Sequence, residues 1–198
     1  MLMGPSFRYL AATLLLVCSC NLITPLKLSG IKIIELPKGE LIWTTERPRK
    51  AKMCIPAAFT GLPGSIMGEY RLNGVVHNRN KKTYRISICK DNFYVDKKWL
   101  TDNGFQQYVL VLNGKASHYG DSRKTVRRAI CKKDNHIFLV ESRYPMTMSG
   151  FAAECAKVSA CAVYLDMGEY GYGYVGSRIL SLWAYFSRDK QTNWLCIY

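Results

Sequence analysis

Acidic residues are scarce. Only 14 Asp and Glu stand against 28 Lys and Arg in 198 residues, a formal net charge of +14. That balance points to anionic partners: phosphates, acidic glycans, membrane surfaces or nucleic acid. No apolar run is long enough for a helix spanning the bilayer in a mature protein. The eight cysteines show no C-x-x-C spacing past the N-terminus, which excludes a zinc finger or ribbon. No two of His77, His118 and His136 share metal-ligand spacing. A G-x-S-x-G elbow and a G-x-x-x-x-G-K-[ST] loop are both absent, which argues against serine hydrolases and nucleotide-driven enzymes. Internal repeats and low-complexity segments are missing too. What remains is an ordinary globular composition, 48% hydrophobic and 21% charged, with enough apolar surface to offset chain entropy. The length fits one domain or a tight pair.

The N-terminus reads as an address. Met1 to Tyr9 carry one cation, Arg8, and no acid, and Leu10 to Val17 form a short apolar segment. A basic start, a short apolar stretch and small residues at its end describe a secretory signal over residues 1–19. Val17-Cys-Ser-Cys20 resembles a bacterial lipobox. That resemblance implies cleavage before Cys20 and a lipid on its thiol, with residues 20–30 as a tether. The expected location is outside the cytoplasm, in the periplasm or on the outer-membrane surface. The domain then spans residues 31–198. Cys54, Cys89, Cys131, Cys155, Cys161 and Cys196 lie in apolar settings and read as buried free thiols, although export would permit a disulfide.

Alternating or apolar runs predict strands at residues 31–36, 41–45, 82–90, 107–112, 135–141 and 161–166. Asn73-Gly74 turns a hairpin over residues 70–77, and Asn113-Gly114 is a second tight-turn pair. A short helix is expected around Lys97 to Leu100. Another runs from about Gly150 to Ser159, capped by Thr147 or Ser149, with Phe151, Cys155 and Val158 on one face. Strand, helix and strand from Asn135 to Asp166 predict a βαβ unit with parallel strands and a right-handed crossover. The expected class is therefore α+β, a mixed sheet with a C-terminal βαβ unit. Asp166 falls at the C-terminal edge of its strand, where open α/β sheets bind ligands.

The segment Asp166-Met-Gly-Glu-Tyr-Gly-Tyr-Gly-Tyr174 is the most pointed in the chain. Asp166 and Glu169 form a candidate acid/base or nucleophile pair for a glycosidic bond. Gly168 and its neighbours let a ligand approach the backbone, and Tyr170, Tyr172 and Tyr174 offer stacking surfaces for sugar rings. The same residues also describe a glycine-rich bend whose tyrosines fill a core and whose Asp166 caps backbone amides. Arg127-Arg128 suits a phosphate through bidentate guanidinium contacts, or forms a solvated basic edge. Only one of the two can face a given side of a strand. His118, in a polar loop, is a candidate acid or base.

In their order these motifs resemble the phosphodiester glycosidase family, whose members include the uncovering enzyme. Pro56-Ala-Ala-Phe59, followed by Gly64, Gly68 and the Asn73-Gly74 hairpin, is similar to the family's Asn-Gly-Gly-Phe segment and its hairpin. Arg127-Arg-Ala-Ile-Cys131 with Phe138-Leu-Val140 resembles a pair of family strands. The helix from Gly150, followed by Ala162-Val-Tyr-Leu-Asp-Met-Gly168, resembles the family's helix and Asp-Gly-Gly-Gly loop. The likeness covers roughly residues 50–198, and its aromatic-rich end looks like a branch among secreted proteins of Bacteroides-type bacteria. Pro56, Cys131, Met167, Glu169 and Tyr170 depart from the family pattern, while Arg127 and Asp166 keep it.

The resemblance implies an exported hydrolase of a sugar-1-phosphodiester or related phosphorylated glycan. Asp166 would act at the anomeric carbon, Arg127 (or Arg128) would hold the phosphate, and Glu169 or His118 would supply the proton. No metal or cofactor enters this scheme. The alternative is a non-catalytic lipoprotein on the same fold that binds a glycan or polyanion. A nucleic-acid partner rests on charge alone, and export argues against it.

Overall fold

A computed structural model describes residues 30–61, 64–79, 84–167, 171–182, 186 and 189–198. The signal, the Cys20 lipidation motif and most of the tether lie outside these residues, as do Gly168, Glu169 and Tyr170.

The described chain is built from sixteen strands and one helix. The strands are β1 (Ile31–Glu35), β2 (Leu41–Thr44), β3 (Met53–Pro56), β4 (Tyr70–Leu72), β5 (Val75–His77), β6 (Arg85–Cys89), β7 (Asn92–Asp96), β8 (Gly104–Gln106), β9 (Val109–Leu112) and β10 (Lys115–Ala116). They continue with β11 (Arg128–Lys133), β12 (His136–Ser142), β13 (Cys161–Tyr164), β14 (Gly173–Val175), β15 (Arg178–Leu180) and β16 (Trp194–Ile197). The helix, α1 (Met148–Ala156), falls between β12 and β13.

The strands form three sheets, in the orders β1-β12-β11-β13-β9-β10, β15-β14-β3-β16-β2 and β5-β4-β8-β6-β7. Every pairing between named strands is antiparallel. This overturns the expected α+β class with its mixed sheet: the fold is mostly β, with one short helix. The βαβ reading fails for a definable reason. β12 and β13 are each antiparallel to β11, so they do run in the same direction. β11 occupies the slot between them, so they never pair. A two-residue turn with Asp134 at φ 54° joins β11 to β12 and sets their register, Lys133 opposite His136.

Strand periodicity sorts the six-stranded sheet into two faces. Ala129, Cys131, Val140, Ala162 and Tyr164 face α1 and pack with Phe151, Ala152 and Cys155. Ile130, Leu139, Val163 and Leu165 face the larger core shared with the other two sheets. There Trp43 of β2 meets Tyr70 and Phe105, with ring centroids 5.7 and 5.9 Å away, and so joins the two five-stranded sheets. Each large side chain buried in this core contributes about 1.5–3 kcal/mol.

Thr147 caps α1 as expected, its hydroxyl accepting from the Gly150 N–H at 3.1 Å. The helix starts and ends earlier than predicted, and Val158 packs from beyond its end. The Asn73-Gly74 and Asn113-Gly114 turns form with both residues at positive φ. No helix forms at residues 97–100. The chain leaves β7 at Asp96, and side chains of other segments hold it instead: Trp99 Nε1 donates to Glu69 at 2.8 Å and the Leu100 N–H donates to the Ser87 hydroxyl at 2.9 Å.

Candidate functional site

Asp166 lies just past β13. The chain there is stitched on both sides: the Leu165 N–H donates to the Arg128 carbonyl, and the Asp166 N–H donates to the Ala57 carbonyl, both at 3.0 Å. This brings the segment after β3 beneath the carboxylate. The Thr60 N–H donates to Asp166 Oδ2 at 2.9 Å. The segment is clamped in turn by Asn193, which accepts from the Ala58 N–H at 2.7 Å and donates to its carbonyl at 3.1 Å. Thr60 and Thr192 hydroxyls meet at 3.2 Å.

Asp166 is only 3% exposed. Burial pushes its carboxyl up to about 7, although the Thr60 N–H and hydroxyl and the Met167 N–H all pull it down. Its proton therefore comes and goes near neutrality, where a general acid or base works best. Tyr164 precedes it on the same face of the sheet. Burial raises that phenol, and the Arg127 charge opposes the rise. The Arg127 guanidinium lies 5.8 Å from the Tyr164 ring centre. Phe59 packs on Tyr164 and Tyr108, and Tyr108 packs on Tyr119, which extends an aromatic wall away from the carboxylate.

The two arginines face opposite sides, as strand alternation requires. Arg127 donates from Nε to the Met146 carbonyl at 2.8 Å. Its Nη2 donates to Asp121 Oδ2 at 3.1 Å and to the Arg123 carbonyl at 2.8 Å. Arg128 is fully buried and grips Glu141, its cross-strand partner, through Nε and Nη2 at 2.9 and 2.8 Å. It also donates to the Gly171 carbonyl at 3.0 Å and the Ser181 hydroxyl at 2.8 Å. Desolvation pulls the Arg128 guanidinium down, and Glu141 opposes it. Arg128 thus ties the far end of the glycine-rich loop to the sheet.

The other predicted residues lie in separate places. His118 is exposed, with Nδ1 3.5 Å from the Ser149 hydroxyl near the start of α1. Tyr172 and Tyr174 line a cavity of about 210 Å³ with Arg47, Pro48, Gln191 and Trp194. Tyr174 belongs to β14 and packs on the outer side of the β3 sheet. The glycine between them serves the sheet: a Cβ on Gly173 would stand 2.8 Å from the Cys54 carbonyl oxygen. Thr60, Asn193 and Tyr164 escaped the sequence reading. Tyr164, two residues before Asp166 and hence on its face, had a detectable signal. Thr60 and Asn193 reach the site only through long-range pairing.

No family model matches the sequence, and neither does any curated protein. Solved structures do share the fold. The catalytic domain of zebrafish N-acetylglucosamine-1-phosphodiester alpha-N-acetylglucosaminidase, auto-inhibited by its pro-peptide, superposes with a TM-score of 0.56 at 13% identity, over 85% of this chain and 73% of that one. A hypothetical protein from Synechocystis superposes with a TM-score of 0.50 at 12% identity, over 85% of this chain and 57% of that one. At these identities the likeness is one of fold. The chain is a distant structural neighbour of a phosphodiester glycosidase catalytic domain.

Proposed function

We propose that this domain hydrolyses a sugar-1-phosphodiester or a related phosphorylated glycan. The observation that carries the reading is Asp166: a buried carboxylate at a strand end, poised at about 7, on the fold of a phosphodiester glycosidase. In this reading the ionised form faces the developing positive charge at the anomeric carbon. Arg127 then takes the phosphate by exchanging the exposed carboxylate of Asp121 for a phosphate oxygen. Arg128, engaged by Glu141, Gly171 and Ser181, holds the chain at Gly171 and is not the phosphate ligand in this reading. Glu169 is the candidate for the leaving-group proton and Gly168 and Tyr170 for the sugar side, whereas His118, beside Ser149, and the cavity of Tyr172 and Tyr174 lie apart and take no part in this reading. Export as a lipoprotein anchored through Cys20 accompanies the proposal, supported by the sequence motif.

A second reading, binding without catalysis, is favoured by Arg127, whose guanidinium is held by protein groups on every nitrogen. The test is hydrolysis of a panel of sugar-1-phosphodiesters by the fragment 21–198, with Asp166→Asn as control. Turnover lost in the variant is the expected result. No turnover on any member, with glycan binding that survives Asp166→Asn combined with Arg127→Ala, replaces hydrolysis with binding.

A further inference from the structure

We propose that Cys54 and Cys196 are a cross-strand pair that closes into a disulfide, stapling β3 to β16. The two are direct register partners on adjacent antiparallel strands, so their side chains leave the same face. They share the small cluster on the outer side of that sheet with Ala51 and Trp194. Backbone directions along β16 decide the class of the pair. The Ile197 carbonyl accepts from Lys52, on the β3 side, and the Tyr198 N–H donates to Glu40, on the β2 side. Alternation therefore turns the polar groups of Cys196 toward β2. The Cys54 carbonyl in turn points toward β14, where it crowds Gly173. Cys54 and Cys196 are thus a non-hydrogen-bonded pair, the class whose Cα atoms approach to about 4.5 Å. That lies inside the window of about 4.4–6.8 Å that a disulfide spans. The thiols are already in hydrogen-bond contact with each other.

Cys54 also lines the cavity beside Arg47, Tyr172 and Tyr174, which offers an oxidant a route to its sulfur. A second pair in contact, Cys131 and Cys155, is wholly enclosed between β11 and α1. The oxidant is a small-molecule or protein disulfide. The Cys54 thiolate attacks one of its sulfurs and releases one thiolate. The Cys196 thiolate then attacks Cys54 Sγ and releases the second. Two cysteine thiols and one disulfide become one new disulfide and two thiols, with both protons passing to the departing thiolates. Contact with Cys54 and then burial push the Cys196 thiol toward its neutral form, and both sulfurs lie in buried residues, so the bond is slow to form in the folded chain and slow to reverse, as befits a structural crosslink.

The experiment incubates the full reduced chain with oxidised glutathione at mildly alkaline pH, both folded and during refolding. The products are then alkylated, digested without reductant and mapped by mass spectrometry. The expected product is a linked peptide pair containing Cys54 and Cys196, and an oxidised chain that unfolds at higher urea concentration than the reduced one. In Cys196→Ser the linked pair is lost and Cys54 stops at the glutathione adduct. A wild-type chain in which Cys54 accumulates as that adduct, or in which both thiols remain free under both regimes, overturns the proposal. The wild-type map decides the question even if the variant does not fold.

Discussion

The Thr60 N–H meets the Asp166 carboxylate at 2.9 Å across 106 residues of sequence. That contact joins the end of β13 to the segment after β3, and it sets a buried carboxyl on a backbone donor rather than on a cation. Its proton affinity is therefore governed by burial, with hydrogen bonds restraining the rise.

Stability should fall with rising pH because of Asp166. In the unfolded chain this carboxyl loses its proton near 3.8, whereas the folded chain retains it to about 7. Between those values the folded state binds more protons, so its stability drains away as pH climbs through the window. At about 1.4 kcal/mol per pH unit the full effect is about 4 kcal/mol. Asp166→Asn removes it. Urea unfolding should find the variant more stable than wild type by up to about 4 kcal/mol at pH 8, with the gap closing toward pH 4.

Thr60→Val keeps the backbone donor and removes the hydroxyl that helps pull Asp166 down. The carboxyl should then titrate above about 7. Carbon-detected NMR titration of Asp166 is the direct check. If the domain hydrolyses its substrate, the acid limb of the pH–rate profile should move to higher pH in step.

Arg128→Met leaves Glu141 with a carboxylate only 16% exposed and no cation. Breaking such a pair costs about 3–5 kcal/mol. Arg128→Met combined with Glu141→Leu should recover much of that loss, because the stranded charge is gone. Denaturant midpoints of the wild type, single and double variants test both halves.

Gly173→Ala places a methyl 2.8 Å from the Cys54 carbonyl oxygen and 2.9 Å from Ile55 Cγ2. Both neighbours belong to β3, a strand paired on each side, so it cannot easily yield. Overpacking of this kind costs about 1–3 kcal/mol, and thermal unfolding should register it. The equivalent change at Gly120, where nothing stands within 4 Å, should be close to neutral.

The parts of the molecule written in short-range chemistry could be read from the residues. Asn73-Gly74 and Asn113-Gly114 demand turns with positive φ, and Thr147 offers its hydroxyl to a helix start. The alternation in residues 128–142 separates a helix-facing side from a core-facing side, and for the same reason Arg127 and Arg128 could not share a face. The position of Asp166 at a strand end follows from where its apolar run stops. Each of these depends on neighbours a few residues away.

Tertiary structure decided the rest. Period-two alternation says which side of a strand is buried but not which strand lies beside it, so β11 could enter between β12 and β13 and turn an expected mixed sheet into an antiparallel one. Gly173 looks in sequence like room for a ligand, and only its pairing beside β3 shows that the room is taken by backbone. Arg128 looks like a phosphate ligand until Glu141, Gly171 and Ser181 occupy it. Thr60 against Asp166 and Cys54 against Cys196 have no local signature at all. Contacts between distant segments are selected by the joint packing of all three sheets, and no window of the chain contains that information.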